Sequence, residues 1–312
     1  MNKIGNRRAP FINYRKPGIF MITMNKLEGI PSFGSLVRNP YEPDKYKQIR
    51  VDYSKLGFEI FDVLKNFKNI VPGAKVDQYV IMPDHIHFLV NIYEELEMHL
   101  GQYLGILKRE IFEKIHSKNL IPSDFNSIFE PGFNDQFLRY NRSLDGLYKY
   151  IRRNPYRLWI RFESPEFFRR IYQQEKFGIK YDLYGNPFLL NHPFKYPVVV
   201  HRSDMMNPEI IRKKREIWEY AVFNGGVLIG AFISEEEKKF RDLAFENGGK
   251  VILLKNSSYD KREKPSEAYS ELCRSGNLLI LSPDMTPVLG KRREFRQECL
   301  FMNAFAERIA NE

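Results

Sequence analysis

A chain of 312 residues, 43% hydrophobic and 28% charged, holds enough apolar material for one or two packed cores, which excludes a disordered tail, a collagen-like fibre and a disulfide-stapled miniprotein. Its 49 lysines and arginines against 39 acids leave a formal charge of +10, a balance that favours a polyanionic partner. Cys273 and Cys299 have no CxxC spacing, so a disulfide framework or zinc knuckle is not expected, and a reducing cytoplasmic compartment fits, nucleoid-associated if the chain is bacterial. The basic opening segment lacks the apolar stretch of a secretion signal, and no apolar run nears the roughly 20 residues of a bilayer span. No membrane partner is therefore expected, and the charge points towards nucleic acid.

In chain order, Pro17-Gly18 introduces a strand over 19–24. Leu56, Ile60, Leu64 and Phe67 mark one face of a helix over 53–67. A strand over 77–92 is interrupted at Pro83-Asp84, and Leu100, Leu104, Leu107 and Ile111 pattern a second helix over 96–116. A third helix is expected over 143–153, with Ser143 as its N-cap. Helices packed on a small sheet suggest an α+β sandwich. Gly185, Pro187, Pro193 and Pro197 make 184–197 read as a linker, which places a domain boundary near residue 196, between domains 1–196 and 197–312. Beyond it, short apolar strands at 198–200, 227–233, 251–254 and 278–281 alternate with helices at 208–223, 234–247, 265–274 and 293–310, the pattern of a parallel sheet covered on both faces.

The segment 78–90, Gln-Tyr-Val-Ile-Met-Pro-Asp-His-Ile-His-Phe-Leu-Val, carries the most chemistry. Residues two apart on a strand face the same side, so His85 and His87 project together while Ile86 and Phe88 face the other way. Such a pair can share a metal, although two ligands do not complete a site, and satisfaction by water or a carboxylate is the simpler alternative. Further on, Phe129-Glu-Pro-Gly-Phe133 leads through a basic stretch to Leu147-Tyr-Lys-Tyr-Ile-Arg-Arg-Asn-Pro155. On the helix Tyr148 falls on the stripe of Leu144, Leu147 and Ile151, whereas Tyr150 lies off it, with Asn154 one turn along the same face. Asn before Pro also commonly ends a helix.

These two motifs, in this order, resemble the HUH single-tyrosine transposases, specifically the REP-associated tyrosine transposase group, over about residues 14–165. The resemblance implies a ferredoxin-like or RRM-like antiparallel sheet and a catalytic tyrosine four residues before an asparagine, the position of Tyr150. It further implies Asn154 as third metal ligand beside His85 and His87, with Mg²⁺ or Mn²⁺ suited to two imidazoles and an amide oxygen. The activity implied is cleavage and rejoining of single-stranded, hairpin-containing DNA through a 5′-phosphotyrosine.

Seven basic residues and one acid, Asp145, lie between 139 and 161, interleaved with Tyr140, Tyr148, Tyr150, Tyr156 and Trp159, the mix that binds phosphates and stacks unpaired bases. Arg139, Arg142, Lys149, Arg152, Arg153 and Arg157 are the principal candidates here, with Lys108 and Arg109 added from the second helix. Residues 198–285 resemble the Rossmann-like domain of the DNA-processing protein A family, without a GxGxxG or Walker sequence to cradle a nucleotide, and an accessory role is expected. Two alternatives stay open: a domesticated hairpin-binding protein that does not cut, and a metal phosphodiesterase using water. The sequence leaves monomer and homodimer equally open.

Overall fold

The computed structural model describes residues 12–138, 143–257 and 265–312. The chain divides into two compact units, 1–159 and 160–312.

In the first unit β1 (Gly18–Asn25) is followed by a ribbon of β2 (Gly34–Arg38) and β3 (Ile49–Tyr53), then α1 (Lys55–Lys65) and the short α2 (Phe67–Ile70). A hairpin of β4 (Ala74–Ile81) and β5 (His85–Ile92) leads into α3 (Leu100–Ser117), β6 (Asn134–Phe137) and α4 (Leu144–Arg152). The interruption expected at Pro83-Asp84 divides this stretch into two strands: Met82 N–H donates to the His85 carbonyl and closes the turn, where proline offers no ladder donor. The main sheet runs β4-β5-β1-β6 with every pair antiparallel. Leaving the β2–β3 ribbon aside, this is the β-α-β-β-α-β connectivity of a ferredoxin-like sheet. One face carries Phe20, Ile22, Ile86 and Phe88 into a core built with α1 and α3, where Ile60, Leu104, Leu107 and Ile111 are fully buried. The opposite face is covered by α4: Ile151 packs on Met21, Val80 and Leu89, with Val51 of the ribbon alongside.

A further helix, α5 (Asn154–Glu163), follows α4 after one residue, and the division between the units falls inside it. Asn154-Pro155, expected to end a helix, instead ends one and begins the next, because proline is tolerated in a first turn where its missing N–H is not needed.

The second unit holds β7 (Arg169–Lys176), β8 (Ile179–Gly185), β9 (Lys195–Pro197), α6 (Arg202–Met205), α7 (Pro208–Phe223), β10 (Val227–Gly230), α8 (Glu235–Glu246), β11 (Lys250–Leu254), α9 (Glu267–Arg274), β12 (Leu278–Pro283), α10 (Thr286–Leu289) and α11 (Phe295–Ala310). Its sheet order is β7-β8-β12-β11-β10-β9, parallel from β9 to β12 and antiparallel through β8 and β7. α7, α8 and α9 cover one face through Trp218, Phe240 and Cys273, and α11 covers the other through Met302, Phe305 and Ile309. The boundary expected near 196 is displaced to 159/160. The Gly- and Pro-containing stretch is no linker, because residues 181–185 pair with 279–283 and residues 195–197 pair with 227–229. Pro197 fits there since β9 is an edge strand, and this strand lies earlier than the one expected over 198–200. The four parallel strands follow one another in the sheet in chain order. At the end of β10 the Glu237 carboxylate, 3% exposed, accepts from the amides of Val200, Ile233 and Ser234.

Candidate active site

The alternation of β5 that buries Ile86, Phe88 and Val90 among the helices turns His85, His87 and Leu89 to the face under α4. His87 is 4% exposed, and a polar ring so buried needs a partner. It finds one across the strand: Thr23 is its register neighbour on β1, with Oγ1 2.7 Å from Nδ1. His85 is held from its own turn, where the Asp84 carboxylate accepts from Nδ1–H at 2.6 Å. With both Nδ1 atoms engaged outward, the two Nε2 atoms face each other at 3.1 Å. Two lone pairs at that distance repel unless a proton or a cation lies between them. Imidazole nitrogens bound to one ion at ~2.1 Å would themselves stand roughly 3.0–3.4 Å apart, so the pair fits a shared metal. Among the described residues no group of three or more His, Cys, Asp or Glu gathers that could hold an ion.

Tyr150 of α4 completes the cluster. Its ring centroid lies 5.7 Å from that of His87, inclined at 59°. Both tyrosines of α4 are half-buried, so burial does not separate them; their neighbours do. Tyr148 sits towards β4, where its phenol adds to the effect of Asp77, whose hydrogen bond is the main cause of the raised pKa of the Lys75 amine. The helix is set by its own sequence: Ser143 accepts from Gly146 N–H as N-cap, and Ile151 anchors the inner face.

Asn154 is 3% exposed, and its Nδ2 donates to the Tyr150 carbonyl at 2.9 Å. It therefore satisfies one of the last carbonyls of α4 and links to the cluster through Tyr150, with its side-chain oxygen as the remaining acceptor.

The basic candidates divide. The Arg157 guanidinium lies 5.2 Å from the Tyr150 ring, and Arg152 is exposed on α4. Lys149 is paired with Asp145 at 2.7 Å, and that hydrogen bond holds the Asp145 carboxyl below its ordinary range. Arg153 stacks on Tyr46 of the β2–β3 connection, its guanidinium carbon 3.8 Å from the ring centroid. Arg109 is exposed on α3, on the side of the sheet away from the imidazoles. Lys108 braces the fold, since its ammonium donates to the carbonyls of Glu130, at 2.7 Å, and Gly132, and burial lowers its pKa to about 8. Arg139 and Arg142 lie outside the described residues. Sequence reasoning missed Thr23, Asp84 and Tyr46. The first two could be found by register and adjacency to the histidines, whereas Tyr46 gives no signal in an irregular connection.

A scan against known protein families gives no match. The chain is similar to an uncharacterized protein of Haemophilus influenzae (strain Rd), 21% identical over 168 residues that span 49% of this chain and 87% of that protein. It is also similar to a solved REP-associated tyrosine transposase bound to a REP hairpin, at 18% identity and a TM-score of 0.30, over 48% of this chain and 74% of that one. Both likenesses are distant. Among the described residues no helix is long and apolar enough to cross a membrane.

Proposed function

We propose that the chain is a metal-dependent strand transferase for single-stranded, hairpin-containing DNA, with Tyr150 as nucleophile. The observation that carries this reading is the convergence of Tyr150 on the paired imidazoles of His85 and His87 at the polar face of the sheet. The Tyr150 oxygen attacks a phosphorus atom as the bond from phosphorus to the 3′ oxygen breaks; the phenolic proton leaves to solvent and the leaving 3′ oxygen takes one up from solvent. The products are a 5′-phosphotyrosine and a free 3′-OH, which can attack the same link and rejoin DNA without ATP. His85, His87 and the Asn154 side-chain oxygen would hold a divalent ion, Mg²⁺ or Mn²⁺, which when bound would supply positive charge against that developing on the phosphate and the leaving oxygen. Thr23 and Asp84 orient the rings. Arg152 and Arg157 bind the backbone on either side of the scissile link, and their guanidinium forks suit phosphate oxygens.

Incubation with Mn²⁺ and labelled hairpin DNA tests this on a denaturing gel. Wild type and Tyr148→Phe form a covalent adduct, and Tyr150→Phe forms none. His85→Ala abolishes cleavage. Cleavage without an adduct would establish the water-using phosphodiesterase instead, and binding without cleavage the non-cutting hairpin binder.

A further inference from the structure

We infer that Tyr46 is a positioning residue for Tyr150, acting by gripping Arg153 at the end of α4; this rests on the reading of Tyr150 as nucleophile. Tyr46 sits in a tight turn between β2 and β3, where its amide donates to the Asp44 carboxylate at 3.0 Å. Its ring receives the Arg153 guanidinium at 3.8 Å from the centroid, within the range of a close cation–π stack. The Tyr156 ring meets it edge-on at 5.2 Å, and the Lys45 ammonium lies 4.9 Å from its centroid. Tyr46 thus meets two cations and the edge of a second ring.

What this clamp holds is the one-residue elbow between α4 and α5. Arg153 is the C-cap of α4, and its neighbour Asn154 ties back to the Tyr150 carbonyl. Arg157, one turn further, lies over the Tyr150 ring. The nucleophile therefore stands in the last full turn of a nine-residue helix, a length that is marginal by itself. The ribbon supplies the missing constraint from outside the helix: Val51 of β3 packs into the same cluster as Ile151 and Tyr150, and Tyr46 closes on the elbow beyond it. Holding a reacting group to within a fraction of an ångström is what separates binding from reaction, since effective molarity depends on orientation.

Two readouts test this, one independent of catalysis. Amide hydrogen exchange of residues 148–157 in the full chain should quicken at least threefold in Tyr46→Leu, which stays apolar but loses the π face, and stay unchanged in Tyr46→Phe. In single turnover at saturating hairpin DNA, Tyr46→Leu and Arg153→Lys should form the adduct about tenfold more slowly with hairpin Kd within twofold of wild type, and Tyr46→Phe should match wild type. Unchanged exchange in Tyr46→Leu overturns the clamp, as does a loss of hairpin affinity in step with the rate, which would make Tyr46 a DNA contact. An equal defect in Tyr46→Phe overturns it too. If wild type itself forms no adduct, the assignment of Tyr150 falls, and the exchange measurement still decides whether the clamp holds the elbow.

Discussion

Thr23 and Asp84 determine what the two imidazoles present to a ligand. Each engages an Nδ1, so the Nε2 atoms are aimed at one point rather than at solvent. Replacing such a supporting partner at a metal-binding histidine typically costs about 10–100-fold in affinity. Thr23→Val should accordingly weaken Mn²⁺ binding by about tenfold or more in calorimetric titration, and, by removing the hydroxyl that meets His87 Nδ1, cost about 1–3 kcal/mol of stability. Lys108 makes a different prediction. Burial lowers its pKa to about 8 from an ordinary 10.5. The folded chain thus holds this proton less tightly than the unfolded chain, so its contribution to stability rises with pH from about 8 to 10.5 and is flat below. Thermal melts across that window should show wild type gaining on Lys108→Met as pH rises; a constant difference would refute the burial of this amine. At this scale the histidines were legible because strand parity alone aligns them. The competition between Tyr148 and Tyr150 was only half legible: helical phase distinguishes two directions but not which one holds the imidazoles.

At the scale of elements, the long periodic segments read cleanly. α7 matches its expected span of 208–223, and β1, α1, α3, α4 and α8 fall within a few residues of theirs. The short ribbon strands did not, since their burial alternates weakly and no apolar run marks them. Strands β7 and β8 were hidden for a related reason: β7 is mostly polar and half-exposed, and β8 ends in the very glycine that read as part of a linker. Gly185 has φ +118°, and a Cβ there would stand 2.3 Å from the Leu278 carbonyl oxygen. It permits the close approach of β8 to β12. Gly185→Ala should therefore destabilise the second unit by about 2 kcal/mol or more, measured by urea unfolding. A loss under about 0.5 kcal/mol would argue against this pairing.

For the whole molecule, the alternation of strands and helices was enough to foresee a covered parallel sheet, but not its antiparallel extension or the division at 159/160. Composition marks flexible chain and tight packing with the same residues, and only pairing partners tell them apart. A fragment of residues 164–312 keeps all six strands and should melt cooperatively by circular dichroism. A fragment of 197–312 loses β7 and β8 along with nearly all of β9, leaves β12 and β10 as unpaired edges and should aggregate. The reverse result would restore the boundary near 196.

The alternation of β5 carries one more consequence. Its even positions enter the core with α1 and α3, while His85, His87 and Leu89 face α4. A slip of one residue in pairing would bring Phe88 to the polar face and drive an imidazole among Ile60 and Leu104, so the chain cannot be well folded and mispaired at once. Chemical competence and solubility are tied to a single parity. A misregistered strand would instead bury an unpartnered imidazole among apolar side chains, at the cost of ~2–7 kcal/mol typical of an unpaired buried polar group.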